Sequence, residues 1–459
     1  MSAKPTVLIM AAGRGTRMRS SVPKVLHPVC GRPMVEWVIA AAREAGAGEV
    51  ICITRPGDGV AEGLPDDVTV VEQVEGEGTG SAVLAARDHI GDADTVVTLS
   101  GDHPLIDSEL IAEMVAVHAQ SGAAATILTT DKLDPAGYGR IVREPDGSFG
   151  TILETKSTEG LTPEQLAIRE INIGSYAFDS EPLFDLLGEV SEEGGERYLT
   201  AVFALMKERG LTVDTHLTDD TSSAIGVNTR SGLMDVETVA RARILERHAM
   251  NGVSFALPDS VVIDAGVEIG QDAEIGAGVV LTGATSIGPG ARIGPHTSIQ
   301  DSEIGEGATI IQSHLIRCRV AAGASVGPFA YLRPDADIGE GAKVGTFVEV
   351  KNSVIGAGAK MPHLSYIGDA DVGEGANVAA GNITANYDGF DKHRTKIGKG
   401  ARTGVHTSLV APVAIGDDAY TGAGSVITED VPDGALGISR PEQRNVEGYS
   451  EKVRKERAE

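Results

Sequence analysis

"EIGQDAEIGAGVVLTGATSIGPGARIGPHTSI", from Glu268 to Ile299, carries an aliphatic residue at every sixth position: Ile269, Ile275, Leu281, Ile287, Ile293 and Ile299. Two positions before each stands a small or β-branched residue: Val267, Ala273, Val279, Thr285, Ala291 and Thr297. Residues two apart in an extended strand share a face, so both sets point into one narrow lumen. A six-residue register of this kind, mostly followed by glycine, predicts a parallel β-helix. Disorder would not hold aliphatic residues in phase over such a distance. A lumen lined by one aliphatic and one small residue per face leaves little room for rings, in keeping with 4% aromatic residues in the chain.

The register returns at Val326, Leu332, Ile338, Val344 and Val350, and again from Ile397 through Thr403, Leu409, Ile415 and Thr421 to Ile427. Two stretches interrupt it. "KNSVIGAGAKMPHLSYIGD" shortens the step around Ile355 and carries His363. "ANYDGFDKHRT" (Ala385–Thr395) has no repeat position and is expected to loop out of the coil. Loops that break a solenoid are where function tends to sit.

Upstream the pattern is different. "TVLIM", "EVICIT" and "TVVTLSGD" read as buried strands, and "MVEWVIAAAREAG" reads as a helix. Strands alternating with helices imply an α/β domain with a mostly parallel sheet, whose ligands bind at the carboxyl ends of the strands. "SGLMDVETVARARILERHAMNG" reads as one long connecting helix. The expected organisation is a Rossmann-like α/β domain over 1–230, a helical linker over 231–252 and the β-helix over 253–459.

After "TVLIM" comes "AAGRGTRMRSSVPK" (Ala11–Lys24), a glycine loop followed by Arg17 and Lys24. Glycines after a strand let backbone N–H groups approach an anion. A dinucleotide fingerprint would need a third glycine where "GRGTRM" has Thr16 and Arg17, and no G-x-x-x-x-G-K-[ST] occurs. The combination with Pro23–Lys24 favours a sugar nucleotidyltransferase, the glycine loop wrapping a nucleoside triphosphate while Arg17 and Lys24 neutralise phosphate. Asp102 ends the strand "TVVTLSGD" at the sheet's carboxyl edge, where a carboxylate can bind Mg²⁺.

The formal charge is −27, which argues against nucleic acid or an anionic membrane as partner. Three scattered cysteines, Cys30, Cys52 and Cys318, suit a reducing compartment. No signal peptide or transmembrane run is read, so a cytoplasmic protein with no integral membrane segment is expected. The basic tail "EKVRKERAE" reads as a solvated end.

The first half resembles the nucleotide-sugar pyrophosphorylases through "MAAGRGTRM", "VPKVLH", "GTGSA", "LSGDHPLI", "GYGRI", "EIN" and "GVNTR". With "LRP", "VEVKNS", "HLSYIGDADVG", "NYDG", "LVAPVAIG", "GAGSVI" and "ISR", essentially the whole chain resembles the bifunctional GlmU family. That family joins an N-acetylglucosamine-1-phosphate uridyltransferase to a glucosamine-1-phosphate acetyltransferase on a left-handed β-helix. The resemblance implies that UTP is held by the backbone of Met10, Ala11, Ala12 and Gly13 and by Gln73, Gly78, Thr79, Ser100, Gly101 and Asp102. It pairs Asp102 with Asn228 as Mg²⁺ ligands and assigns Gly139, Glu154 and Asn172 to the amino sugar. The implied reaction is in-line attack of the sugar phosphate on the α-phosphorus of UTP, expelling pyrophosphate. Arg197 and Ala201 depart from the family, standing where a tyrosine and an aspartate are expected.

For acetyl transfer from acetyl-CoA, the resemblance makes His363 the general base, oriented by Glu349. Arg333 and Lys351 would bind the sugar phosphate, and Tyr366 and Asn377 its ring. Ala380, Asn386, Tyr387, Val405, Ala423 and Arg440 would contact the acyl-CoA. Val405 and His406 stand where the family commonly reads Ser-Asp; valine cannot donate a hydrogen bond there, and His406 adds a second imidazole. The prism faces and the extruded loop predict a homotrimer with sites completed by more than one chain. The competing expectation is a monofunctional nucleotidyltransferase whose β-helix is only structural.

Overall fold

A computed structural model describes residues 4–91, 93–155 and 161–458. The chain divides into two compact units, Met1–Arg243 and Ile244–Glu459. The division falls within the helix Arg230–Met250, which covers most of the stretch read as a connecting helix.

In the first unit the sheet is built from β1 (Thr6–Met10), β2 (Glu49–Thr54), β3 (Thr69–Glu72), β4 (Thr95–Ser100), β5 (Ala125–Thr130), β6 (Arg140–Arg143), β7 (Phe149–Leu153), β8 (Ile171–Asp179) and β9 (Val213–Leu217). Their order is β9–β5–β8–β4–β1–β2–β3, with β6 and β7 forming a hairpin against β8. β1 pairs in parallel with both β2 and β4, whereas β8 runs antiparallel to β4 and β5. β1 is apolar from Val7 to Met10 because both faces are covered. Leu8 packs with Ile51, Phe178 and Phe203 on one side; Val7 and Ile9 pack with Val38, Ile39 and Leu110 on the other.

In the second unit successive coils lay short strands on three parallel sheets of seven, ten and nine strands, and later coils extend the first of these through single bridges at Asn377 and Arg402. The lumen aliphatics stack in register: Ile263 on Leu281 on Ile299 on Leu315 on Leu332 on Val350 on Ile367. Val267, Ala273, Val279, Thr285, Ala291 and Thr297 are all buried. This is the left-handed parallel β-helix expected from the hexapeptide register.

The coil runs through regions where the six-residue step fails. Five-residue steps separate Ile299 from Ile304, Ile310 from Leu315 and Leu315 from Val320. Their corners close on Asp301, Gln312 and Arg317 in the left-handed region, with φ of 48, 42 and 46°. Ser302 and Ser313 occupy inward positions and donate to the Gln300 and Ile311 carbonyls at 2.7 Å, so their hydroxyls are satisfied without an apolar side chain. "KNSVIGAGAKMPHLSYIGD" also stays in the coil, with Met361 and Ile367 in the lumen. The insertion is shorter than its sequence reading, because Ala385 and Thr395 belong to strands Ile383–Ala385 and Thr395–Ile397. Among the described residues no helix is long and apolar enough to cross a membrane.

Candidate functional sites

The parallel pairing puts Met10 of β1 beside Ile53 of β2 and Ser100 of β4, so these strand ends reach one edge together. A cleft of about 640 Å³ opens there, lined by Met10, Ala12, Gly13, Lys24, Gln73, Gly78, Thr79, Ser100 and Asp102 among others. The backbone continues the edge: Ala11 N–H donates to Ile53 O at 2.8 Å and Gly101 N–H to Met10 O at 3.0 Å. Gly15, at φ 57°, lets the glycine loop lie on Lys24; a Cβ there would sit 2.6 Å from Lys24 Cβ. Gln73 is buried rather than exposed, and its Nε2 donates to Gly76 O at 3.0 Å and to Gly78 O at 3.4 Å.

Two anionic or carbonyl acceptors meet two cations at one end of this cleft. Lys24 Nζ is ion-paired with Asp102 Oδ2 and lies 3.3 Å from Asn228 Oδ1. Arg17 Nη2 donates to the same Asn228 oxygen at 2.8 Å. Val227 N–H donates to Asp102 O at 2.9 Å, which brings Asn228 beside Asp102 although the two are far apart in sequence. Burial pushes the Asp102 carboxyl up, but His103, Lys24 and a hydrogen bond from Ser100 outweigh it and hold it below its ordinary value. Burial likewise lowers the imidazole of His103. Asp102 Oδ1 is buried and has no hydrogen-bond partner among the described residues, with His103 Nε2 3.7 Å away. A bare carboxylate oxygen next to a second oxygen acceptor fits a hard divalent cation completed by substrate oxygens and water.

A second cleft of about 320 Å³ shares Met10, Gly78, Thr79 and Ser100 with the first and adds His103, Glu154, Ile173, Gly174, Tyr176, Tyr198 and Thr200. Glu154 accepts from Thr200 Oγ1 at 3.3 Å. Gly139 and Asn172 are joined to each other, Asn172 N–H to Gly139 O at 2.9 Å; neither lines this cleft, although Asn172 precedes the lining residue Ile173 and its Nδ2 donates to Tyr176 Oη at 2.8 Å. Arg197 turns away toward Leu187 O at 3.5 Å, while its backbone carbonyl accepts from Gly80 N–H at 2.8 Å. Ala201 is exposed in the short turn Leu199–Ala201. Arg14, Arg55, Glu77, His103 and Glu196 line these clefts without having been singled out in the sequence, where a charged residue after a strand reads as solvated.

On the β-helix, stacking brings distant residues into columns. Gly381 N–H donates to His363 O at 3.3 Å, His406 N–H to Ala380 O at 2.8 Å and Gly424 N–H to Val405 O at 2.8 Å. His363, Ala380, Val405 and Ala423 therefore occupy one corner on successive coils. Arg440 Nη1 reaches the top of this column, donating to Ala423 O at 3.0 Å. The His406 ring lies over Gly381, where a Cβ would fall 2.5 Å from Nδ1. Asn377 bridges Lys360 and Arg402 on the face that leads into this corner.

The face after the corner carries the polar group. Arg333 Nη1 donates to Glu349 Oε1 at 2.8 Å, and Lys351 Nζ lies 3.2 Å from Asp369 Oδ2. Asn386 Nδ2 donates to Asp369 and, at 3.4 Å, to Tyr366 Oη. Burial works against the ionised forms of Lys351 and Asp369, but the hydrogen bond to Asp369 raises the ammonium, and hydrogen bonds from Asn352 and Asn386, ahead of Lys351, lower the carboxyl. Glu349 is thus engaged by Arg333 through Oε1. His363 itself is exposed at the end of strand Lys360–His363. The insertion is tied down at its root, Arg394 to Asp371 at 2.6 Å, while Tyr387 and Phe390 stay exposed.

A family profile described as a MobA-like NTP transferase domain matches residues 7–202. The chain is 44% identical to the "Bifunctional protein GlmU" of Caldanaerobacter subterraneus subsp. tengcongensis, covering 98% of each. It is 43% identical to that of Streptomyces avermitilis, over 96% of this chain and 93% of the relative. Identity to that of Bacillus velezensis is 42%, over 98% of this chain and 99% of the relative.

Proposed function

Since the chain belongs to the bifunctional GlmU family, uniting uridyltransferase and acetyltransferase activities, we propose a division of its residues between the two reactions. In the first unit, Asp102 and Asn228 would hold a divalent cation, Mg²⁺ in the typical case. When bound, that ion screens charge on the phosphoryl oxygens. Arg17 and Lys24 do the same from the protein side, and the glycine loop positions the triphosphate, so catalysis is positioning plus electrostatics. Met10–Gly13, Gln73, Gly78 and Thr79 hold the uridine; Glu154, with Gly139 and Asn172 beside it, serves the amino sugar. The observation that carries this reading is the buried Asp102 Oδ1 at the strand ends, which has no hydrogen-bond partner among the described residues.

In the second unit His363 takes a proton from the glucosamine-1-phosphate amine as nitrogen attacks the acetyl-CoA carbonyl. The C–N bond forms, the C–S bond breaks, and CoA leaves as the thiolate that is then protonated. Arg333 and Lys351 hold the sugar phosphate, and the column Ala380–Val405–Ala423 with Arg440 faces the acyl-CoA. A homotrimer completes these sites. Support comes from an uncovered apolar ladder beside His363: Phe329 and Phe347 stack with ring centroids 5.3 Å apart, and Leu364 follows one coil on, all exposed at left-handed corners. Buried thiols at Cys30, Cys52 and Cys318, with no disulfide among the described residues, suit a cytoplasmic enzyme. Parallel assays for UTP-dependent pyrophosphate release and for CoA thiol release test the reading. Loss of either activity from the folded protein contradicts it.

A further inference from the structure

The uridine cleft contains a carboxylate that phosphate chemistry alone does not call for. Glu77 lies on the loop between Gln73 and Gly78 and lines the cleft. Arg55, just beyond the end of β2, grips it with both arms of its guanidinium: Nη1 to Oε1 at 3.1 Å, and Nη2 to Oε2. Arg14 of the glycine loop reaches the same carboxylate, Nη2 to Oε1 at 2.9 Å. The third donor of Arg55, Nε, is given to the carbonyl of Ala12. Asp58 fixes the base of the arrangement by accepting from Arg55 N–H at 3.2 Å.

Each partner belongs to a segment assigned to the nucleobase. In a trans peptide the C=O and the next N–H point in opposite directions. Holding Ala12 O therefore sets the direction of Gly13 N–H. Holding Glu77 fixes Gly78, whose carbonyl receives the Gln73 amide. Glu77 also accepts through its backbone oxygen from Arg197 N–H at 2.8 Å, which ties in the Gly194–Gly195 turn that lines the cleft. Arg55 pulls the Glu77 carboxyl down to about 2, with Arg14 adding to it, so the pair is ionised throughout the working range.

We propose that the Arg55–Glu77 pair is a positioning clasp for uracil recognition, joining the Ala12–Gly13 peptide to the Gln73–Gly78 loop. The proposal rests on the uridyltransferase reading of this cleft. Base contacts lie away from the reacting phosphorus and are the same in ground and transition states, so their loss raises KM and spares kcat. The planar guanidinium holds both Glu77 oxygens and the Ala12 carbonyl in one fixed fork, whereas a lysine ammonium is a compact point charge without that bidentate geometry.

Steady-state uridylyl transfer by the full chain tests this with Arg55→Met, Arg55→Lys and the near-isosteric Glu77→Gln. The expected result is a KM for UTP raised about tenfold, the size of one charge-assisted pair. It comes with kcat within about twofold and a lower preference for UTP over CTP. Arg55→Lys should not rescue, and the Arg55→Met/Glu77→Gln double variant should be no worse than the poorer single one. Should Arg55→Met fail to fold, Glu77→Gln decides alone. Unchanged KM and base preference, or a fall confined to kcat, would overturn the clasp. Calorimetric titration with UTP separates this from the parent reading. Tight wild-type binding that weakens in the variants, without turnover in any, supports the clasp and rejects the transferase; equal binding in all rejects the clasp.

Discussion

The ammonium of Lys24 rests on the carboxylate of Asp102, and both side chains are nearly withdrawn from water, 12 and 13% exposed. Removing one member of such a pair leaves the other charge buried without a counter-ion. Asp102→Ala is expected to lower the stability of the N-terminal unit by about 3 kcal/mol. The double variant Asp102→Ala/Lys24→Met should recover most of that loss. The single tryptophan, Trp37, lies in this unit and reports its urea unfolding selectively. Additive losses would show that the pair is not coupled.

Gly15 is the second test of the same corner. Its left-handed backbone and the 2.6 Å approach of Lys24 Cβ leave no place for a methyl group. Gly15→Ala should cost about 1–2 kcal/mol in backbone strain and displace Lys24. Uridylyl transfer should then fall about tenfold or more. Full activity in this variant would show that the loop does not depend on that contact.

The depressed Glu77 carboxyl makes a pH prediction with a definite sign. Its folded value of about 2 lies below the ordinary 4.5. The stability it contributes is therefore present above pH about 4.5 and is lost as pH falls toward 2. Trp37-monitored melting should show wild type above Glu77→Gln at pH 7, with the gap closing through that window. A gap independent of pH would assign the difference to packing instead of charge.

The sequence made the β-helix legible because burial there is decided locally, by a residue type repeated at a fixed step. Ile304, Leu315 and Val320 escaped because a five-residue corner moves the phase, and Ser302 and Ser313 satisfy themselves on nearby carbonyls. The glycine loop, Lys24 and Asp102 were readable from strand ends and residue chemistry. Their approach to Asn228 was reached only through the family resemblance and not from the residues, since it depends on one backbone hydrogen bond from Val227 to Asp102. Arg55 and Glu77 were missed for a similar reason: each alone resembles a solvated charge, and only the parallel strand edge brings them together. The contact between Arg333 and Glu349 was likewise hidden, because the stacking of coils, not sequence proximity, brings the two together.

The trimer has its own test. Phe329, Phe347 and Leu364 leave an apolar ladder uncovered beside His363, and Phe390 projects from the insertion. Light scattering should give three chains per particle. After subunit exchange, His363→Ala mixed with Asn386→Ala should recover part of the acetyl transfer that each lacks alone. A fully active monomer would contradict shared sites.

The central claim is that two separate sites on one chain carry two reactions, and the most direct measurement is a reciprocal knockout. Pyrophosphate release and CoA thiol release are followed on wild type, Asp102→Ala and His363→Ala under the same conditions. Asp102→Ala should lose uridylyl transfer and keep acetyl transfer, and His363→Ala should do the reverse. Loss of both activities in either folded variant, or near-normal thiol release from His363→Ala, would contradict the account.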